Sequence, residues 1–203
     1  MRVLVVGGTG PTGPAIVAGL EARGHDVVIC HTGAHELPEV EHLRHIHTDI
    51  RDEESLTATI GAETWDAAVV TYGRLRTIAS VLAGRVGHFV SVGGGPAYRG
   101  YFDPSRHSPP GLPVPIAEDA PTADEGDDGK SYRIATTERQ LFEYQPDATH
   151  FRYPWVYGPR QLAPREWSIV RRILDGRPHI VLPDGGALLN VFGYVDNLAH
   201  AIR

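Results

Sequence analysis

The stretch Val3-Leu4-Val5-Val6-Gly7-Gly8-Thr9-Gly10-Pro11-Thr12-Gly13 decides the fold. Its four apolar residues suit a buried strand and are far too few to span a membrane. The glycines that follow satisfy two spacings at once, Gly8-x-Gly10-x-x-Gly13 and Gly7-x-x-Gly10-x-x-Gly13. One glycine permits a tight turn, one lets the backbone approach a diphosphate, and one lets the next helix pack closely on the strand. The phosphates then rest on helix N-terminal amides, where the aligned peptide dipoles favour negative charge. Ile16, Val17 and Leu20 recur at helical spacing directly afterwards, with Gly24 in a C-cap position. A glycine turn alone is a weak signal; between a strand and a helix it points to dinucleotide binding.

Outward from this turn the alternation continues. Further strands are expected over 27–30, 45–47, 67–70 and 89–92, with helices over 55–60 and 77–82 between them. Ser131 is placed to cap a helix carrying Tyr132, Ile134, Leu141 and Phe142, and 149–152 reads as another strand. A helix from Pro164 to Gly176, a turn at Pro183-Asp184-Gly185-Gly186, a strand over 188–194 and a helix opening at Asp196 complete the chain. Strands alternating with helices predict an α/β fold, a Rossmann-type doubly wound parallel sheet flanked by helices, in a single domain over 1–203. Residues 99–129 interrupt the pattern. Six prolines there forbid regular ladders, and six acidic residues from Glu118 to Asp128 charge it. A loop of this length is either a surface excursion or a cover over a site, and both readings stay open. Residues 153–187 read as a partial substrate-side insertion.

Composition narrows the partners. The 203 residues carry a net charge of −6 and one cysteine, so Cys30 cannot form an internal disulfide. A mildly acidic chain offers no electrostatic footprint for nucleic acid or an anionic membrane, and no run of eighteen apolar residues is present. A cytoplasmic protein acting on a small molecule is expected, and a homodimer is allowed. Of the nineteen basic residues only Lys130 is a lysine, so a mechanism that needs an amine has one to draw on. Eleven histidines, His42, His45 and His47 among them, raise the question of a metal. Their spacing straddles a loop and a strand without a cysteine partner, so no metal is expected.

The chain resembles the extended short-chain dehydrogenases, the NAD-dependent epimerase/dehydratase family. The resemblance rests on the glycine turn, Asp49, Phe89-Val90-Ser91, Arg152-Tyr153-Pro154-Trp155-Val156-Tyr157-Gly158-Pro159 and Tyr194-Val195-Asp196-Asn197-Leu198-Ala199. It implies NAD or NADP as cofactor. Gly7, Gly8, Thr9, Gly10, Pro11, Thr12 and Gly13 would hold the diphosphate, and Asp49 and Ile50 would flank the adenine. Thr71, Tyr72 and Gly73 would border the cofactor, and Tyr153, Pro154 and Val156 would pass the nicotinamide. The ribose-reading position carries His31-Thr32-Gly33, neither the acidic residue that suits NAD nor an arginine for NADP, so that choice stays open, with His31 and Thr32 as the candidates to contact the ribose hydroxyls or a 2′-phosphate. The family also builds its substrate pocket from a further C-terminal portion, so most of a substrate lobe is expected to be absent here.

By the same resemblance, catalysis uses a Ser or Thr, a Tyr and a Lys four residues after the Tyr. On a helix, i and i+4 share a face, so the ammonium lowers the tyrosine pKa. Tyr132 and Ser91 are the candidates. The residue four after Tyr132 is Thr136, which brings no charge, and Lys130 precedes the tyrosine by two. Arg133 and Arg139 are candidate replacements for that charge, and Arg160, Arg165, Arg171 and Arg172 are candidates to hold a phosphate- or nucleotide-bearing substrate. Two functions follow: hydride transfer between nicotinamide and a small hydroxylated or sugar-like substrate, or dinucleotide binding without turnover, as a redox sensor or partner-binding module.

Overall fold

A computed structural model describes residues 1–71, 73–186 and 190–203, without the side chains of Pro183 and Asp184. Tyr72, and Leu188 at the start of the expected 188–194 strand, lie outside the described residues. The glycine turn stands between β1 (Arg2–Val6) and α1 (Gly13–Glu21). There follow β2 (Asp26–His31), β3 (Arg44–His47), α2 (Glu53–Ile60), β4 (Trp65–Val70), α3 (Leu75–Val81) and β5 (Val86–Gly94). After the long loop come α4 (Gly129–Tyr144), β6 (Thr149–Tyr153), β7 (Trp155–Tyr157), α5 (Trp167–Leu174), β8 (Phe192–Tyr194) and α6 (Val195–Ile202).

Six strands form one sheet in the order β3-β2-β1-β4-β5-β6, and every neighbouring pair is parallel. Parallel strands are buried on both faces, and alternate residues of β1 divide accordingly. Leu4 and Val6 join Leu56, Ile60, Ile78, Leu82 and Leu141 in a core under α2, α3 and α4. Val3 and Val5 join Ile16, Val17, Leu20 and Ala199 in a second core under α1 and α6. The expected doubly wound fold is therefore present. Its strand order reverses between β1 and β4, which opens a crevice at the C-terminal strand ends, where ligands of such sheets bind.

Two local expectations are corrected. The helix containing Tyr132 is capped by Asp128 and not by Ser131: the Asp128 carboxylate accepts from the amides of Lys130 and Ser131, both at 3.0 Å. An ionised carboxylate satisfies two orphan amides and favours the positive helix end. The other concerns the final strand, expected over 188–194: of its described residues, Phe192–Tyr194 form β8, which pairs with β7 in a separate parallel ribbon.

The 99–129 loop is tied back to the body. Tyr98 and Thr122 form an antiparallel bridge, and the amides of Arg99 and Ala123 donate to the carbonyls of Pro121 and Ala97. The Asp127 carboxylate, nearly enclosed, accepts from Arg99 Nε at 2.8 Å and from the Asp124 amide at 2.9 Å. The Asp124 backbone N–H, and after it the Arg99 hydrogen bond, hold that carboxyl below its ordinary range.

Candidate active site

The turn after β1 shows what its glycines do. Gly7 and Gly8 have φ of 105° and 78°, the left-handed region open to residues without a Cβ. A Cβ at Gly13 would lie on the Gly8 carbonyl and 2.8 Å from the Gly8 Cα, so only glycine lets α1 start this close to the turn. Gly10 is the opposite case: a Cβ there meets nothing within 4 Å, and the residue is exposed. Its bare backbone faces open space, as a cradle for a diphosphate requires. The N-terminus of α1 has no side-chain cap and no acidic residue in its first turn, so its amides are left to an anion. These features fit a dinucleotide.

Two adjoining clefts lie at the strand ends. One, of about 390 Å³, starts at Pro11 and Thr12 of the turn, passes Thr71 and the β5 end at Val92, Gly93 and Gly94, and reaches Tyr153, Pro154 and Val156. It closes on Tyr101, Trp155, Gln161 and Arg165. The other, of about 510 Å³, is lined by Arg51, Gly73, Arg74 and Leu75 and shares Thr71 and Val92 with the first. Thr71 is held by its amide and hydroxyl, which both donate to the Val6 carbonyl, at 3.0 and 3.2 Å. Tyr153 donates its hydroxyl to the Leu198 carbonyl at 3.1 Å, and burial pushes its pKa up, which keeps it protonated.

The cofactor residues expected from sequence divide. The turn, Thr71, Gly73, Tyr153, Pro154 and Val156 border the clefts or the α1 N-terminus. Asp49 is exposed, with its carboxylate accepting from the Arg51 amide at 2.9 Å. Ile50, expected to flank an adenine, is 1% exposed and packs in the core against α2 and α3. Thr32 is exposed, whereas the His31 ring is turned into the sheet edge, with Nε2 2.9 Å from His45 Nδ1. Burial holds the His31 pKa below its ordinary value, against the pull of Glu36.

Both catalytic candidates lie outside the lining of the two clefts. Ser91 is fully buried and lines neither cleft; its hydroxyl is 2.8 Å from His150 Nδ1. Its side chain is directed to His150 of β6, and the clefts begin one residue later, at Val92, Gly93 and Gly94. His150 lies 3.6 Å from Glu138, and Glu138 forms a forked pair with Arg152, so the serine belongs to a buried network joining β5, β6 and α4. Desolvation lowers the His150 pKa, and Arg152 adds to that. Tyr132 is half-buried and also lines neither cleft. Arg139 lies 5.9 Å over its ring and bonds Thr136 at 3.3 Å and the Ala123 carbonyl at 3.2 Å, so this helix face looks toward the loop at 122–124. Lys130 is exposed, with Nζ 4.9 Å over the Phe102 ring.

Of the four arginines considered for an anionic substrate, only Arg165 reaches the first cleft, with its guanidinium 3.5 Å over the Trp155 ring. Arg160 pairs with Glu39, Arg171 bonds Asp175 at 2.9 Å, and Arg172 donates to the Ser168 carbonyl. Tyr101 is the residue the sequence did not single out. It comes from the long loop, where no periodicity marks it, and burial raises its pKa against the opposing Arg165 charge and Trp155 indole.

A crevice at the switch point of a doubly wound sheet, entered from an open glycine turn, is the place where folds of this class hold their ligands. Residues 3–80 match the NAD dependent epimerase/dehydratase family. A 3-diazoavenalumate denitrifying reductase from Streptomyces sp is 29% identical over 219 residues, covering 99% of this chain and 70% of that protein. The fold superposes on the Bordetella bronchiseptica enzyme WbmH, solved with NAD+, with a TM-score of 0.74 at 22% identity, over 98% of this chain and 70% of that one. It superposes equally on the Thermotoga maritima UDP-glucose 4-epimerase, solved with UDP-glucose, at 19% identity over 100% and 72% of the two chains. Among the described residues no helix is long and apolar enough to cross a membrane.

Proposed function

We propose that the protein binds NAD or NADP along the two clefts and exchanges hydride with a small hydroxylated or sugar-like substrate in the cleft that ends on Tyr101, Trp155 and Arg165. The observation that carries this is continuity: one cleft runs from the phosphate turn at Pro11 and Thr12 to a cation and a protonated phenol. Residues 7–13 hold the diphosphate, Asp49 and Gly73 border the adenosine half, and Thr71, Tyr153, Pro154 and Val156 border the nicotinamide half. The nicotinamide, when bound, supplies or accepts the hydride.

The chain's own residues orient the substrate and move the proton. Arg165, stiffened by its stack on Trp155, holds an anionic substrate group such as a phosphate or carboxylate. Tyr101 is kept neutral by burial and donates its proton to the oxygen of a carbonyl that takes up hydride, or receives it in the reverse direction. Ser91 and Tyr132 have no contact with this cleft and take no step in it.

A panel of sugar nucleotides, secondary alcohols and small carbonyl compounds tests this, with NAD(H) and NADP(H), read at 340 nm and by chromatography of the products. Turnover is expected, with Tyr101→Phe lowering kcat by about 10²-fold while cofactor affinity holds. The rival reading, a dinucleotide sensor without turnover, draws on the absence of a lysine among the described residues lining the clefts. Saturable cofactor binding with no product from any pairing would establish that rival.

A further inference from the structure

We propose that His31, Glu36, His45 and His47 form a four-ligand site for a divalent transition-metal ion of the zinc class at the β2–β3 edge of the sheet. Spacing along the chain argues against a metal here, because the histidines are divided between a strand and a loop. The register argues otherwise. His31 at the end of β2 stands opposite His47, and His45 lies two residues before His47, so the three rings share one sheet face. Their centroids are 5.0, 5.0 and 5.7 Å apart. The loop after β2 then brings Glu36 over the same face.

The donor atoms converge. His31 Nε2 is 2.9 Å from His45 Nδ1, and Glu36 is 3.6 Å from His31, 3.3 Å from His45 and 3.0 Å from His47. All four ligand atoms lie within 4.8 Å of one another. Tetrahedral zinc bonded at about 2.0–2.1 Å sets its ligand atoms about 3.3 Å apart, inside the spread seen here. The outer shell is also in place. His45 Nε2 is 2.9 Å from the Val40 carbonyl, which can only accept, so Nε2 carries the proton and Nδ1 turns a lone pair to the cluster. In the metal-free protein the His31 Nε2 proton fills the gap by donating to that lone pair.

Burial gives the site a closed back and an open front. The His31 and His45 side chains are nearly enclosed, whereas Glu36 and His47 are half exposed and leave a path for the ion. Three nitrogens and a carboxylate oxygen suit zinc, cobalt or nickel, and four protein ligands leave no open coordination position, which marks a structural role. The ion would pin the 32–43 loop to the edge of the sheet. Cys30 points into the opposite core and supplies no sulfur.

The test uses the full chain without a polyhistidine tag, dialysed against chelator and titrated with zinc chloride by calorimetry, with melting and X-ray absorption on the loaded protein. One zinc per chain is expected, with a higher melting temperature and a nitrogen and oxygen shell free of sulfur. His47→Ala and Glu36→Gln alter exposed ligands, fold as the parent does, and weaken zinc binding by about tenfold or more. His42→Ala, a control at a residue that pairs with Glu21, leaves binding unchanged. Absence of saturable binding, zinc affinity untouched by His47→Ala and Glu36→Gln, or a sulfur ligand would each overturn the proposal.

Discussion

Substituting two glycines of the phosphate turn, Gly13 and Gly10, separates folding from binding. At Gly13 an alanine Cβ would stand 2.8 Å from the Gly8 Cα and closer still to its carbonyl. Ordinary contact for such pairs is about 3.5 Å, so the turn or α1 must move by most of an ångström. Overpacking of this kind costs about 1–3 kcal/mol, and backbone cannot rotate away as a side-chain tip would. Gly13→Ala should therefore lower the midpoint of urea unfolding and weaken NAD(P) binding together. At Gly10 the same methyl meets nothing within 4 Å of protein. Gly10→Ala should unfold at the wild-type midpoint and yet lose at least tenfold in cofactor affinity, about 1.4 kcal/mol, because its methyl enters the space the diphosphate needs. Urea titration and calorimetry on the two variants read both quantities. Undiminished affinity in Gly10→Ala would refute the placement of the diphosphate, and wild-type stability in Gly13→Ala would refute the close packing of α1.

Three further outcomes follow from the same structure. Arg165→Ala should raise KM for an anionic substrate by about tenfold with a smaller change in kcat, measured by steady-state kinetics; an equal loss with uncharged substrates would contradict its role as an anion holder. Glu138→Gln leaves the partly buried Arg152 guanidinium half-paired and should cost about 2 kcal/mol in urea unfolding, whereas a loss under 1 kcal/mol would show the pair to be dispensable. Glu63, hydrogen-bonded to Arg44 and to Arg2, has its pKa lowered to about 2. A carboxylate held low in the folded state stabilises fully above its unfolded value near 4.5, and that stability is lost as pH falls toward 2. The pair is partly exposed, so the effect is about 1 kcal/mol, and Glu63→Gln should flatten the fall of Tm between pH 5 and 2.

Much of the fold is legible because its determinants are local. The strand, glycine turn and helix at 3–20 each answer a backbone requirement, and the apolar runs of β2, β4 and β5 declare buried strands. Those same runs hide direction. A strand buried on both faces shows no polar alternation, so nothing in Phe89-Val90-Ser91 tells that Ser91 turns to His150 and not to the cleft. The cap of α4 lies three residues before Ser131, at Asp128; both residue types are good caps, and only geometry chooses between them. Tyr101 sits in a segment without period, brought to the cleft by the ties at Arg99 and Ala123. The histidine cluster depends on the register of two strands and the return of a loop, which no spacing along one chain records.

The proposed function requires one dinucleotide to span these two clefts from the phosphate turn to Tyr101. A crystal structure of the protein with NAD(P) tests it most directly. Expected are the diphosphate against residues 7–13, the adenosine beside Asp49 and Gly73, and the nicotinamide between Tyr153 and the Tyr101 hydroxyl. A dinucleotide bound elsewhere, or a nicotinamide directed to Tyr132 and away from Tyr101, would contradict it.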